Sequence, residues 1–422
     1  MKKILSLILA FALAFCFAAC SDDRDERIKE LEERLEELEE KKEKEEKEQI
    51  DFGDLGNLGN FDESDITDVI IGKGGYTSNN TEYFIGATGP LTGDASSYGI
   101  SVQNGAIIAI EEINANGGLN GVKFKFDMKD DQATADKASS AYDQLFEAGM
   151  QISIGSVTSG SCAAFAAKAA NDSLFFITPS ASMEECIKEP NAFRVCFGDP
   201  QQGDIAAEFL ANRFSDIGVI YDQSDVYSSS IYEAFEAKMK ELGVWYKVQT
   251  FDSESNRNFS IQVEALKDCD VIFLPIYYTE AGLIAREAST KGYDMGLFGC
   301  DGFEGISYQI DDSVKNPIAY ISPFDVNSTN AKVVKFVKAY EAEYGIKPDQ
   351  FAADGYDAVM AIYKAMKAAG VDDATIAPDV LCDMVTEVIT SDSFVYEGVT
   401  SSMIQWDASG EAIKAPNIVV VQ

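Results

Sequence analysis

Histidine is missing from this 422-residue sequence. Its side chain has the proton affinity best suited to acid–base catalysis near neutral pH, and it is the commonest metal ligand. The chain on its own therefore cannot build a Ser-His-Asp or Cys-His catalytic arrangement. Since the sequence also shows no phosphate-binding loop and no evident metal cluster, we predict a protein that is not an enzyme and that uses no cofactor and no metal.

Positive charge is the second shortage. The chain has 34 Lys and Arg residues against 71 Asp and Glu residues, which gives a formal net charge of -37. Binding to nucleic acid needs clustered basic side chains that neutralise phosphates. We therefore expect no nucleic-acid partner.

The chain also lacks the CxxC spacing that is typical of structural zinc sites, although it has eight cysteines. Cys186 and Cys196 are close in sequence. Their spacing is compatible with a disulfide and equally with two free, buried thiols.

The longest clearly apolar run lies at the start of the chain. Residues 4–17 follow two lysines and form a run too short to span a bilayer comfortably. Two alanines then precede Cys20, as in bacterial lipoprotein signals, with Phe17 where such signals usually have Leu. We predict a lipoprotein signal peptide over residues 1–20 with lipidation of Cys20; an uncleaved membrane anchor is the alternative. Both interpretations tether the remaining chain outside the cytoplasm.

Two polar segments separate this signal from the folded part. Residues 21–50 carry a short apolar stripe at helical spacing among many Glu and Lys residues. The stripe is shorter than a stable coiled coil needs, so we predict a solvated helical stalk, with a partner-binding helix as the alternative. Residues 51–81 are rich in Gly, Asp and Asn and predict a flexible linker.

From residue 82 onward, short apolar runs alternate with segments of helical periodicity. The alternation predicts βαβ units, and hence an α/β protein with parallel sheets, and it begins again near residue 199 as a second unit of similar size. The predicted helices in the two units cover residues 98–116, 135–148, 160–171, 201–214, 229–242, 259–266 and 281–291. Three further helices are predicted over residues 332–344, 353–369 and 377–389, followed by a hairpin with its turn at Asp-Ala-Ser-Gly.

Polar side chains gather where the predicted strands end, which is where ligands bind in open parallel sheets. Two hydroxyl clusters, at residues 158–161 and 178–182, follow strands of the first unit. Ser159 stands where a helix begins, and exposed N–H groups at a helix start favour an anion such as a carboxylate. Asp301 follows a strand of the second unit and would suit an ammonium group. An anion holder opposite a cation holder predicts a receptor for a free α-amino acid.

Each of these residues also has a purely structural interpretation. Ser159 and Ser161 are compatible with simple N-caps, and Ser180 after Thr-Pro is compatible with turn chemistry. Asp301 beside a glycine is compatible with a turn, and the aromatic residues at other strand ends are compatible with core packing.

The sequence resembles the type 1 periplasmic-binding-protein family, specifically the branched-chain amino-acid receptors of ABC transporters. The stretches that carry the resemblance are IGATGPLTGDASSYG, NGAIIAIEEINANGGLNG, FDMKDDQATADKA, SLFFITPSAS, FRVCFGDPQQG and DVIFLPIYYTEAG. The resemblance implies two doubly wound α/β lobes with parallel sheets, joined by three crossovers. It implies lobe 1 over residues 82–198 and 325–394, and lobe 2 over residues 199–324 and 395–422.

The resemblance also implies a ligand-binding set and partners. The implied ligand contacts are Tyr98, Ser159, Ser180, Ser182, Tyr227, Tyr277, Asp301 and Phe351. The implied partners are a free amino acid as the small-molecule ligand and the permease subunits of an ABC importer, with the protein held to the membrane by a lipid anchor.

Two features depart from the leucine-type receptors. Ser180 and Ser182 stand where Ala and Thr are familiar, and Asp301 is one carbon shorter than the usual Glu. A sensory module for a signalling partner, or a receptor for a small amide or another solute, are the alternative functions.

Overall fold

A computed structural model describes residues 80–252, 257–414 and 417–421. The predicted signal peptide (1–20), with its lipidated Cys20, the stalk (21–50) and nearly all of the predicted linker (51–81) lie outside these residues. No helix in the described part of the chain has both the length and the apolar character needed to cross a membrane.

Most strands belong to two separate sheets. The strands of the five-stranded sheet are β1 (Tyr83–Gly89), β2 (Phe124–Asp130), β3 (Ile152–Ser153), β4 (Phe176–Thr178) and β5 (Ala192–Arg194). The strands of the six-stranded sheet are β6 (Ile217–Asp222), β7 (Lys247–Phe251), β8 (Val271–Leu274), β9 (Gly296–Gly299), β10 (Ile318–Ser322) and β13 (Asn417–Val420). A small hairpin joins β11 (Gln405–Trp406) to β12 (Ala412–Ile413).

The five-stranded sheet is parallel throughout and has the order β2-β1-β3-β4-β5. The six-stranded sheet has the order β13-β10-β9-β8-β6-β7, and all its pairs are parallel except β10 with β13, which is antiparallel. Strand β1 is fully buried along its length, as expected for parallel strands that are covered on both faces. The prediction of two α/β lobes with doubly wound, mainly parallel sheets is confirmed.

Ten α-helices connect and cover these strands in the described residues. They are α1 (Ser96–Ala115), α2 (Ala135–Glu147), α3 (Ser159–Asn171), α4 (Asp199–Ala211), α5 (Val226–Leu242), α6 (Ser260–Ala265), α7 (Tyr278–Lys291), α8 (Ala331–Tyr344), α9 (Gln350–Ala368) and α10 (Pro378–Ile389). Helices α8, α9 and α10 follow β10 of the six-stranded sheet in sequence, but they pack on helices and strands that belong with the five-stranded sheet. The chain therefore passes between the two sheets three times, before α4, before α8 and before β13.

The packing of α1 against α9 depends on two glycines. A Cβ atom at Gly105 would lie 1.8 Å from the carbonyl oxygen of Ala352, and one at Gly355 would lie 2.4 Å from that of Val102. Only glycine allows the two backbones to approach so closely. The close approach brings the start of α9 beside the first turn of α1, where two aromatic side chains of the candidate site are found.

The last passage between the sheets runs beside the end of β5. The Trp406 indole Nε1 donates to the carbonyl oxygen of Arg194 at 2.7 Å, and the Arg194 N–H donates to the carbonyl of Gly410 at 3.0 Å. The hairpin predicted around Asp-Ala-Ser-Gly is confirmed. Cys186 and Cys196, for which a disulfide and free thiols were both compatible with the sequence, are free and buried.

Candidate functional site

A small cavity lies between the two sheets, and residues from both lobes line it. Its volume is about 10 Å³, and its lining consists of Tyr98, Val157, Thr158, Ser159, Ser180, Tyr227, Tyr277, Asp301, Gly302 and Phe351. Seven of the eight predicted ligand contacts are therefore brought together, and Ser182 is outside this set. A cavity of this size has room for about one water molecule, so an organic solute can bind only when the two walls separate.

Loops after strands of the five-stranded sheet form the first wall. Thr158 is the N-cap residue of α3, and Ser159 is its first helical residue; no side chain caps the helix. The Thr158 hydroxyl is buried without a hydrogen-bond partner among the described residues, and Ser159 Oγ accepts only a long bond from the Met183 N–H, at 3.4 Å. The helix start therefore keeps donors, and the partial positive charge of its dipole, available for an anion.

The two serines of the second hydroxyl cluster face different surroundings. The Ser180 hydroxyl donates to the carbonyl oxygen of Val157 at 2.7 Å, which ties the two wall loops together at the cavity. Ser182 is fully buried, and its side chain interacts with the Asp199 carboxyl. Its carbonyl oxygen accepts the backbone N–H of Asp199 at 2.9 Å, so this residue lies against the start of α4 rather than at the cavity.

Asp301 is the one ionisable carboxyl that lines the cavity, and it comes from the second wall. It follows β9 and begins a short 3₁₀ turn, Asp301–Phe303. The Tyr227 hydroxyl donates to Asp301 Oδ1 at 2.7 Å and accepts the Gly302 N–H at 2.9 Å. Burial raises the pKa of Asp301 to about 6, against the opposing hydrogen bonds from Tyr227 and Gln202. Lys414 favours the ionised form of Asp301 electrostatically, but no Lys or Arg among the described residues forms an ion pair with it, and a ligand ammonium group would stabilise the charge further.

Aromatic side chains close the cavity. The Tyr227 and Tyr277 rings are stacked, with centroids 4.8 Å apart, and the Tyr98 and Phe351 rings are 4.5 Å apart. The Tyr98 hydroxyl donates to the Gly302 carbonyl at 2.5 Å and accepts the Tyr278 N–H at 3.2 Å. Tyr98 belongs to the first lobe and its partners to the second, so these bonds join the lobes in the closed arrangement.

Several residues of the site were not singled out from the sequence. Val157 and Gly302 line the cavity next to predicted contacts, and Thr158 belongs to the predicted hydroxyl cluster at residues 158–161 but was not among the predicted ligand contacts. Gln202 and Gln350 support Asp301 from behind: Gln202 Oε1 accepts the Asp301 N–H at 3.1 Å, and Gln350 Nε2 donates to the Asp301 carbonyl at 2.8 Å. Both come from the starts of distant helices, and no local pattern predicts that contact.

The arrangement suits binding of a zwitterion. One wall offers hydroxyls and a helix N-terminus, and the other offers a buried carboxyl with phenol hydroxyls around it. Among the described residues, no group of three His, Cys, Asp or Glu side chains could hold a metal ion. The fold and the cavity together define a bilobal solute-binding protein whose ligand site lies between the lobes.

Comparison with known proteins gives the family. Residues 82–387 match the family model of periplasmic binding proteins. The chain belongs to this family, as a type 1 periplasmic binding protein. Because the family consists of extracytoplasmic solute-binding proteins, membership favours binding over catalysis and a location outside the cytoplasm.

Several relatives in sequence and structure have names that refer to branched-chain amino acids. A Leu/Ile/Val-binding protein of Rhizobium johnstonii is 27% identical over 338 residues, which cover 77% of this chain and 91% of the relative. The substrate-binding protein LivJ of Streptococcus pneumoniae, solved with isoleucine, superposes with a TM-score of 0.72 at 28% identity and covers 81% of this chain and 98% of its own. A leucine-binding protein, LivK, of Thermotoga maritima gives a TM-score of 0.72 at 26% identity, over 80% of this chain and 95% of its own.

Proposed function

We propose that this protein is the extracytoplasmic solute receptor of an ABC importer, and that it binds a free branched-chain amino acid, or a close relative, between its two lobes. The observation that carries the proposal is the shared cavity: Ser159 at a helix start and Asp301 from the opposite lobe line the same small space. The names of the relatives support the ligand class.

The first wall holds the carboxylate end of the ligand in this proposal. The N-terminus of α3 supplies partial positive charge, and the hydroxyls of Thr158 and Ser159 supply donors. Ser180 donates its hydroxyl proton to Val157 and so holds the neighbouring loop in place rather than donating to the carboxylate. Charge-assisted hydrogen bonds to the carboxylate are each worth about 1.5–3 kcal/mol when buried.

The second wall holds the ammonium end. Asp301 supplies the negative charge, and Tyr227 fixes the orientation of its carboxylate through the 2.7 Å hydrogen bond. Tyr98, Tyr277 and Phe351 surround the aliphatic side chain of the ligand. The contact predicted for Ser182 stays a prediction, because this residue is not part of the cavity lining.

Binding and closure are linked in this proposal. A ligand stabilises the closed state only if it contacts both lobes, since equal affinity for the open and closed states shifts no equilibrium. The hydrogen bonds of Tyr98 across the cleft would form as the lobes close over the amino acid. The closed form would then be recognised by the permease subunits of the importer.

We infer the following organisation of the chain around these lobes. Residues 82–198 and 325–394 form lobe 1, and residues 199–324 and 395–422 form lobe 2, with the C-terminal segment crossing beside β5 before it reaches β13. Helix packing supports this division, since α4 and α5 pack with β6 and β8 while α9 packs with α1.

The membrane tether is a separate proposal. Cys20 follows a signal-like apolar run, and its lipidation would hold the receptor beside its permease. Cys20→Ser should leave the exported protein free of the membrane fraction. Membrane association that persists in this variant would favour the uncleaved anchor.

Calorimetric titration of the purified protein with the twenty amino acids tests the proposed ligand class. Leucine, isoleucine or valine should bind more tightly than the other amino acids. Blocking the ligand's amine by acetylation, or its carboxylate by amidation, should abolish binding. A protein that binds the amide as tightly as the free acid, or that binds no amino acid, would contradict the proposal.

A further inference from the structure

A second and larger cavity lies beside the connections between the lobes. Its volume is about 420 Å³, within the range of cavities that hold small organic ligands. The lining residues come from four separate parts of the chain and are Glu304, Tyr320, Phe324, Asp325, Val326, Asn327, Pro348, Asp349, Gln350, Ile418 and Val419. Of these, none lines the inter-lobe cavity, so this is a distinct space.

Three carboxyl groups line this cavity, those of Glu304, Asp349 and the exposed Asp325. Burial and the nearby Asp349 raise the pKa of Glu304 to about 8, and burial also raises the pKa of Asp349. Neither Glu304 nor Asp349 forms an ion pair with a Lys or Arg among the described residues. Lys347, the cation found at the rim, bonds instead to Asn327 Oδ1 at 3.4 Å. At neutral pH Glu304 therefore keeps much of its proton, because a second negative charge beside Asp349 is unfavourable, and a bound cation would favour its ionised form.

The hydrogen bonds of Glu304 and Asp349 leave room for such a cation. Asp349 accepts the Ser101 hydroxyl at 2.6 Å and, as the N-cap of α9, the Ala352 N–H at 2.8 Å. Glu304 accepts a long bond from the Gln350 N–H, at 3.4 Å, together with the Tyr320 hydroxyl and the Gly305 N–H. A carboxylate offers about four acceptor sites, so Glu304 can still accept a further donor.

A third polar group is also unsatisfied. Gln350 lines the cavity and is 1% exposed. Its Nε2 donates to the Asp301 carbonyl, but its Oε1 has no hydrogen-bond partner among the described residues. A buried amide oxygen without a donor is costly, and an ammonium group supplies up to three donors. The Glu304 carboxylate and Gln350 Oε1 are acceptors suited to that group.

The rest of the lining distinguishes an organic cation from a metal ion. Phe324, Val326, Pro348, Ile418 and Val419 supply apolar surface, and the aromatic rings of Tyr320 and Phe324 favour a cation nearby. Calcium needs six or more oxygen ligands, and no group of three acidic side chains that could hold a metal is present in the described residues.

We propose that the cavity between Glu304 and Asp349 is a second ligand site, which binds a small aliphatic ammonium compound with its charged group on Glu304 and its apolar chain against Phe324 and Val419. The site is separate from the amino-acid site but shares a loop with it, since Glu304 follows Asp301 by one turn and its N–H donates to the Asp301 carbonyl at 3.0 Å.

Titration of the purified protein with n-butylammonium chloride tests this site, with n-butanol as the uncharged probe of similar shape. The ammonium should bind saturably, and butanol should not bind at the same concentrations. Glu304→Gln should weaken butylammonium binding at least about tenfold, as expected for loss of a buried charge-assisted contact. Asp349→Asn retains a good N-cap residue and should also weaken butylammonium binding. This variant replaces Glu304→Gln in the test if Glu304→Gln fails to fold.

Two matched variants locate the probe. Glu341→Gln removes the same charge from an exposed position on α8 and should leave butylammonium affinity unchanged. Asp301→Asn removes the acid of the inter-lobe cavity and should also leave it unchanged. Loss of binding in Asp301→Asn but not in Glu304→Gln would place the probe between the lobes and overturn the proposal. Equal binding of butanol, no saturable binding, or Glu304-dependent binding of calcium chloride without binding of butylammonium would each overturn it as well.

Discussion

The two walls of the inter-lobe cavity differ in the kind of polarity that they present. The wall from the five-stranded sheet carries hydroxyls and the N-terminus of α3, so its positive character consists of partial charges. The wall from the six-stranded sheet carries Asp301, a group with a full charge whose burial raises its pKa to about 6. A buried polar group without a partner costs a few kcal/mol, whereas an unpaired full charge costs far more and is stable in the interior only when it is paired. We therefore expect the ammonium and the carboxylate of a zwitterion to contribute unequally to the binding free energy.

Removal of the charge on the second wall should have the largest effect. Asp301→Asn keeps the size of the side chain but leaves a ligand ammonium buried without a counter-charge. Loss of one partner of a buried ion pair costs about 3–5 kcal/mol, which corresponds to a loss of amino-acid affinity of about 100-fold or more. Calorimetry on the variant measures the loss. Asp294→Asn removes the same charge from an exposed position and should bind like the wild type; unchanged affinity in Asp301→Asn would remove this residue from the site.

The charge on the second wall should also make binding depend on pH. Burial in the closed arrangement raises the pKa of Asp301 to about 6, and Asp301 must be ionised to pair with an ammonium group. Affinity should therefore be nearly constant above pH 7 and should fall below pH 6, by about tenfold for each pH unit. The slope should be absent in Asp301→Asn. A slope of equal size in both proteins would assign the titration to another group, of which the nearby Asp199, with a pKa raised by burial to about 7, is the first candidate.

A hydroxyl of the first wall should contribute less than the charge opposite. Ser159→Ala removes one donor from a wall that keeps the helix N-terminus and Thr158. We expect a loss of affinity of about tenfold, within the 1–3 kcal/mol range for a buried hydrogen bond. Ser161→Ala is the matched control, because Ser161 is buried on the same helix without lining the cavity. Equal losses of affinity in the two variants would indicate a general disturbance of α3.

The smallest effect is expected at Ser182. This residue belongs to the same loop as Ser180 but lies against the start of α4, away from the cavity. Ser182→Ala should change amino-acid affinity by less than about twofold, as is usual for a substitution that removes no ligand contact. A loss as large as that of Ser159→Ala would mean that lobe opening brings Ser182 to the ligand, as the family resemblance implies.

The sequence is informative about individual helices and less so about their partners. Helix α5, predicted over residues 229–242, begins three residues earlier at Val226, after the N-cap Asp225. Apolar periodicity identifies such a helix because one face must be buried. Strand β10 was not predicted, since its place depends on pairs such as Ile321 with Ile418. Residues so far apart in sequence leave no local pattern.

The candidate site also contains residues that the sequence locates and residues that only the tertiary packing locates. Ser159, Tyr227 and Asp301 can be located from the sequence because each follows the end of a parallel strand. Ser180 and Ser182 cannot be distinguished, because both follow the same strand and only the packing of α4 separates their surroundings. The cavity at Glu304 and Gln350 is formed by four segments that are distant in sequence, so it can be identified only from the tertiary structure.

The central claim is that Asp301 binds the amine of the ligand while the first wall binds its carboxylate. Calorimetry tests it most directly, by comparing the amino acid that binds most tightly with its analogue lacking the α-amine, in the wild type and in Asp301→Asn. The wild type should lose about 100-fold in affinity when the amine is removed, and Asp301→Asn should lose less than about threefold. A loss of the same size in both proteins would show that the amine is bound elsewhere and would contradict the account.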